Sequence, residues 1–225
     1  MTEPPVQITR RRGQKSIRIR VKNGRILVSA PYTCRKSEIE RFVVSQNTWI
    51  NKQVTKHQEL QHFVNNALES GKWLVDGKWV VYDVIPDNRS SINYNGQKVE
   101  FFYDGDASNP PKEELAVIFK KWSKKILTER FWNTAKRVGL KPIKVSIRSQ
   151  QSKWGSCSAK KTISLNWRLI KCPPEIQEYI FIHELCHLEQ MNHSVKFWNL
   201  VDSHYPERKK AEQWLRNNSR AMFLD

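Results

Sequence analysis

An α+β fold is predicted by three features of the chain. Short runs of alternating apolar residues, broken by Asn23-Gly24, Asp76-Gly77 and Asn95-Gly96, fill the first half in the pattern of β-hairpins. Longer runs with apolar residues at helical spacing dominate the second half. Gly105 and the Pro110-Pro111 pair lie between them and mark the expected boundary. The organisation predicted is a basic hairpin-and-helix accessory region over 1–107 and a second domain over 108–225. No repeat of fixed period is present.

In the first region, Ile17, Ile19 and Val21 alternate with Arg18 and Arg20, the period of a half-buried strand. Asn23-Gly24 supplies a tight turn, and Ile26 and Val28 continue the alternation until Pro31. Ser37 followed by Glu40 has capping-box spacing, and Ile39, Phe42, Val43, Trp49 and Ile50 predict one long helix to about residue 62. Residues 73–84 and 91–103 then read as two further hairpins, turning at Asp76-Gly77 and Asn95-Gly96.

In the second region, Leu115, Ile118, Phe119, Trp122, Ile126 and Phe131 predict an amphipathic helix over 112–137, closed by Gly139 and Pro142. Residues 145–148 and 162–167 read as strands, the latter through Ile163, Leu165 and Trp167, with a polar loop at 150–159. Pro173-Pro174 opens the next helix, since a first turn tolerates proline. Phe197, Trp198, Leu200 and Val201 mark a further helix, and residues 206–215 a last one.

Composition narrows the function classes. A formal charge of +17 predicts attraction to polyanions without naming one. The four cysteines, Cys34, Cys157, Cys172 and Cys186, form no C-x-x-C pair, which argues against a disulfide framework or a cysteine zinc knot and for a cytoplasmic setting. No apolar stretch approaches the ~20 residues that span a bilayer, so no membrane partner is expected. Arg10-Arg11-Arg12 has no apolar run after it and does not read as a signal peptide.

The chemistry is concentrated in His183-Glu184-Leu185-Cys186-His187. On a helix, i,i+4 spacing puts His183 and His187 on one face, where both imidazoles can reach one metal ion. The segment before them, Tyr179 to Ile182, is apolar enough for a buried helix, and burial makes two histidines and a glutamate costly unless something satisfies them. His193 is the foremost third ligand, with Met191-Asn192 expected to turn the chain because asparagine tolerates the left-handed conformation. Glu189 and His204 are the rivals: the first lies on another helix face, and the second needs a longer return. Three nitrogens leave a fourth tetrahedral Zn²⁺ position for water, and Glu184 beside it can take that water's proton. Cys157 and Cys186 read as core packing rather than ligands.

Lys153-Trp154-Gly155-Ser156-Cys157, Ile163-Ser164-Leu165-Asn166-Trp167-Arg168-Leu169-Ile170, Pro173-Pro174, the histidine helix, and Asn192-His193-Ser194 with Phe197-Trp198 form a longer signature. Together these segments resemble the YgjP-like zinc metallopeptidases. The hairpin at 16–30 and the helix after it share the likeness, which loosens between about 65 and 111. The resemblance implies a zincin-like domain, a small antiparallel or mixed sheet with an active-site helix, distantly similar to SprT-like proteases that act on DNA-bound proteins. It further implies His183, His187 and His193 as zinc ligands and Glu184 as catalytic acid/base. Lys153 departs from the family's usual arginine and cannot make a forked carboxylate contact.

The expected activity is hydrolysis of a peptide or protein substrate by a zinc metalloendopeptidase. Residues 162–167 are expected to form an edge strand for an extended peptide, and Trp154, Gly155, Ser156 and Asn166 to help hold the substrate. Two alternatives stand beside it: a nucleic-acid-associated protease anchored by Arg10 to Arg12, Arg18, Arg20, Lys22 and Arg25, and a basic nucleic-acid-binding module with a structural zinc.

Overall fold

The computed structural model describes residues 5–22 and 24–224. Asn23, expected in the first hairpin turn, and the side chain of Lys22, expected in the basic anchor, lie outside the described residues. The chain divides into two compact units, Met1–Asn66 and Ala67–Asp225.

The first unit is built on β1 (Val6–Arg11), β2 (Arg18–Lys22) and β3 (Arg25–Pro31), in the order β1-β3-β2. The expected hairpin is the antiparallel β2–β3 pair, with Gly24 at φ 68°. β1 adds parallel to β3, a pairing the local sequence pattern does not announce. The alternation buries Ile26, Val28 and Ala30 against Ile39, Ile50 and Val54 of the helices. The single helix expected over 37–62 is two, α1 (Lys36–Ser45) and α2 (Asn47–Glu69), parted at Gln46. The cap also differs from the Ser37–Glu40 expectation. Ser37 lies inside α1, and Glu38 accepts from the Arg35 backbone N–H at 2.6 Å.

The second unit opens with β4 (Lys72–Val75), β5 (Lys78–Pro86), β6 (Ser91–Tyr94) and β7 (Lys98–Tyr103), in the order β4-β5-β7-β6. Both expected hairpins are present, β4–β5 and β6–β7, and β5 joins them by pairing parallel to β7. The long helix α3 (Lys112–Val138) ends on Gly139 at φ 77°, a left-handed stop that glycine takes without a Cβ clash. A second sheet follows, of β8 (Lys144–Arg148), β9 (Gly155–Cys157) and β10 (Thr162–Asn166), ordered β8-β10-β9. A 3₁₀ turn at Trp167–Lys171 leads into α4 (Pro174–Cys186), α5 (Val195–His204) and α6 (Arg208–Met222).

The boundary expected at 107/108 is corrected by the packing. Val75, Val99 and Phe101 of the first sheet share one buried cluster with Leu115, Phe119 and Phe131 of α3, Ile163 and Leu165 of β10, and Phe181 of α4. Asp76 adds a polar tie, accepting two bonds from Arg130 (2.5 and 2.9 Å) and one from Gln177 (2.8 Å). Pro110-Pro111 therefore marks a loop inside a unit, because proline stops an element without stopping a core.

The edge expected at 162–167 is also corrected. β10 pairs with β8 on one side and β9 on the other, so β8 and β9 hold the edges. Among the described residues no helix is long and apolar enough to cross a membrane.

Candidate metal centre

α4 is buried on almost every side, with Ile176, Tyr179, Ile180, Phe181, Ile182, Leu185 and Cys186 all packed away from water. Pro174 starts it where an unpaired N–H would otherwise stand, and Glu175 suits the positive end of its dipole. His183 and Glu184 lie in the last turn. His187 is the C-terminal cap and keeps right-handed dihedrals, so its i,i+4 relation to His183 persists. The chain then turns through N–H groups of Glu189 and Gln190 that both donate to the Cys186 carbonyl (3.2 and 3.0 Å). Met191 and Asn192 do not take the left-handed conformation expected of them; in the described chain the non-glycine residues at positive φ are Asp76 and Lys161. The hydrogen-bonded turn makes that conformation unnecessary. Ser194 caps α5 by accepting from the Phe197 N–H at 3.4 Å.

These elements bring His183, His187 and His193 together, with one ring nitrogen of each within 4.8 Å of the others. Nε2 of His193 and Nε2 of His183 are 3.2 Å apart. Zn–N bonds of ~2.05 Å at the tetrahedral angle require an N···N edge of roughly 3.3 Å, so this separation suits two ligands of one ion. His187 donates from Nδ1 to the Gln190 carbonyl at 2.9 Å, which leaves its Nε2 lone pair free. Of the rival ligands, Glu189 is exposed on the turn and His204 ends α5. Neither belongs to the convergent group.

Burial sets the protonation of the site. His183 is lowered to about 3, chiefly by burial and then by His187, His193 and Arg208. His187 is lowered by burial as well. Both are neutral at pH 7, the form that ligates. Glu184, 6% exposed, is pushed up to about 8 by burial, against a pull from Lys153. Its Oε2 and Nδ1 of His183 are buried without a hydrogen-bond partner. Three convergent imidazole nitrogens are a donor set that fits a divalent metal, and the unpartnered carboxyl on the residue after His183 is costly to bury unless something satisfies it.

The residues expected to hold substrate divide. Gly155 lies against Glu184: a Cβ built on it would fall 2.6 Å from Oε1. Ser156 follows on β9, paired with Ser164 and half-buried. Trp154 is half-buried; its indole N–H donates to Ser219 Oγ at 3.2 Å and its ring packs 4.7 Å from Phe223. Asn166 is engaged by the protein itself. It is fully buried, donates to the carbonyls of Gln150 (2.7 Å) and Lys153 (2.9 Å), and accepts from the Arg168 N–H (3.1 Å). Its amide is committed to shaping the 150–153 loop and capping the 3₁₀ turn. Cys157 and Cys186 stay outside the centre, and burial pushes the Cys186 thiol up to about 12.

Two aromatic residues of α5 back the histidines. Phe197 stacks on His187 at 4.4 Å, and Trp198 on His193 at 5.4 Å. Their adjacency after His193 is a sequence signal that apolar periodicity absorbs into core packing. Arg208, whose guanidinium lies 4.6 Å from the Trp198 ring, carries no such signal, because a cation opening a polar helix reads as solvated.

The two buried groups give opposite pH signatures. With Glu184 raised from 4.5 to about 8, the folded chain keeps a proton that the unfolded chain has lost. That stabilisation is full below pH 4.5 and is lost as pH rises to about 8. With His183 lowered from 6.5 to about 3, its contribution is full above pH 6.5 and is lost as pH falls toward 3. Between 4.5 and 6.5 the slopes oppose, and above 6.5 only Glu184 acts. Metal-free protein is therefore expected to lose about 1–2 kcal/mol between pH 6.5 and 8, measured as a fall in urea midpoint. Glu184→Gln should abolish that fall; the same fall in the variant would assign it elsewhere.

Comparison with known proteins gives the family. A search of curated protein sequences finds no match. Among solved structures, the zymogen of Pyrococcus abyssi abylysin, a metallopeptidase, is 32% identical over 42% of this chain and 93% of its own, with a TM-score of 0.36. The metallopeptidase zymogen of Methanocaldococcus jannaschii jannalysin is 24% identical over 41% of this chain and 96% of its own, with a TM-score of 0.38. The model of the YgjP-like metallopeptidase domain matches residues 15–218, so it spans both units and includes all three histidines. The chain belongs to the YgjP-like family of metallopeptidases.

Proposed function

We propose that this metal-dependent peptidase is a zinc endopeptidase in which His183, His187 and His193 hold the ion and Glu184 is the general base. The observation that carries the reading is the Glu184 carboxyl, buried without a protein partner for Oε2 on the residue that follows His183 of the three convergent imidazoles. Zinc held there would supply a water of lowered pKa and a Lewis acid for the scissile carbonyl. Glu184, ionised once a dication is bound nearby, would take the proton of that water and return it to the leaving amine. The His187–Gln190 bond holds one imidazole in its ligating tautomer through that cycle. The open edge of β9 at Gly155–Cys157 is the place for an extended peptide to pair, and a peptide laid on an edge can run past both ends, which favours cleavage within chains. Four unpaired thiols suit a reducing, cytoplasmic setting. The test is zinc analysis of protein purified without chelator, with peptide cleavage by wild type and Glu184→Gln. Protein without zinc, or a variant as active as wild type, overturns the reading.

A second reading, that the substrate is bound to nucleic acid, is favoured by the first unit. Residues 1–66 hold thirteen Lys and Arg against four Glu and no Asp. In the strand register Arg18 stands beside Ser29, Arg20 beside Leu27 and Arg11 beside Pro31, all on the face opposite buried Ile26, Val28 and Ala30. Arg25 shares that face. Such a row of cations matches a phosphate backbone. Duplex DNA binding is expected to weaken with salt, and a variant with Arg18, Arg20 and Arg25 changed to Ala should lower the log–log salt slope by about 2–3. Absence of binding at low salt would remove this reading and leave the peptidase one intact.

A further inference from the structure

His193 comes from an exposed stretch between helices, yet its ring must stay within bonding distance of a site anchored on α4. What holds it is a chain of contacts running to α6. The Trp198 ring lies nearly parallel to His193, at 28° and 5.4 Å. The Arg208 guanidinium lies over Trp198 at 4.6 Å, within cation–π reach. Arg208 is itself fixed by a fork to Asp202 of α5, Nε to Oδ1 at 2.6 Å and Nη2 to Oδ2 at 3.0 Å, and by Nη1 to Glu212 Oε1 at 3.1 Å. Glu212 also accepts from the Tyr179 hydroxyl at 3.3 Å, and the Tyr179 ring meets His183 edge-on at 6.0 Å.

A lone cation this close to a dication's site would repel the dication. Two carboxylates on Arg208 remove that objection and leave a planar group whose fork ties α5 to α6 while its face covers Trp198. We propose that Arg208 is a positioning residue, which holds Trp198 against His193 and thereby keeps the third ligand in place. This rests on the reading of the three histidines as the metal-holding set.

The test compares metal affinity, by competition with a chromophoric chelator, and the visible absorption of the Co²⁺-substituted protein. Arg208→Lys keeps the charge but loses the fork and the flat face; it and Trp198→Leu are expected to bind zinc about 10–100-fold more weakly, as loss of outer partners commonly does. Trp198→Phe keeps a stacking ring and should stay near wild type. In a His193→Ala background, Arg208→Lys should cost nothing further, because the ligand it positions is gone. Wild-type affinity and an unchanged Co²⁺ spectrum in both Arg208→Lys and Trp198→Leu, or an equal loss with and without His193, overturns the proposal. If His193→Ala itself binds zinc as tightly as wild type, the three-histidine reading fails with it. A weak His193→Ala beside a tight Arg208→Lys sinks the positioning role alone.

Discussion

Glu184→Gln is expected to retain zinc at wild-type stoichiometry and to lose about 10²–10⁴-fold in kcat for peptide hydrolysis, the range a positioned general base contributes. Glutamine keeps the shape of the side chain, so the space beside Gly155 stays filled and the helix that carries His183 and His187 is not disturbed. What it cannot do is accept a proton at Oε2, the atom that has no protein partner. The loss should fall on kcat more than on KM, because the interaction removed forms as the water attacks. A structural metal predicts a different result, with the variant and wild type equally inert. Full activity in the variant would require another base, and among the described residues the convergent group holds the three histidines without any Asp or Glu.

What the sequence reveals of this architecture follows the range of the interactions involved. Turns are local, and glycines 24, 77 and 96 do stand at positive φ where the hairpins were expected. The histidine spacing is local as well, since helical geometry alone puts His183 and His187 on one face. The place of 162–166 within its sheet is not local: Ile163 and Leu165 alternate in the same way at a centre or at an edge, and only pairing with distant residues 144–148 decides it. The same holds for β1, whose pairing with β3 reaches across the intervening β2. Asn166 shows the limit for polar residues, because an amide beside a catalytic motif and an amide that shapes a loop have the same letter. Burial and partners separate them. Arg208 was illegible for the opposite reason: its three hydrogen bonds bring together residues from two helices and a ring from the first of them.

Gly155→Ala tests the fit between the edge strand and the base. A Cβ at Gly155 would lie 2.6 Å from Oε1, 2.7 Å from Cγ and 2.8 Å from Cδ of Glu184. Contact with Cγ as well as the carboxyl means that rotating the tip cannot relieve the clash, and α4 is too enclosed by its core to retreat. Gly155 does not need glycine for its own backbone, as its φ lies outside the left-handed region. The closest clashes therefore arise at Glu184. We expect a carboxyl displaced by ~1 Å to cost about 10²-fold in kcat/KM, and overpacking to cost about 1–3 kcal/mol of stability. Zinc content should hold, since the three nearest contacts that a Cβ at 155 would make are all with Glu184. The decisive comparison uses Glu184→Ala, which vacates the space the new methyl needs. In that background Gly155→Ala should be nearly neutral to stability, a non-additivity that direct contact predicts and distant effects do not. Equal costs in the two backgrounds would mean that glycine at 155 serves the strand, or the peptide laid along it, and not the catalytic carboxyl.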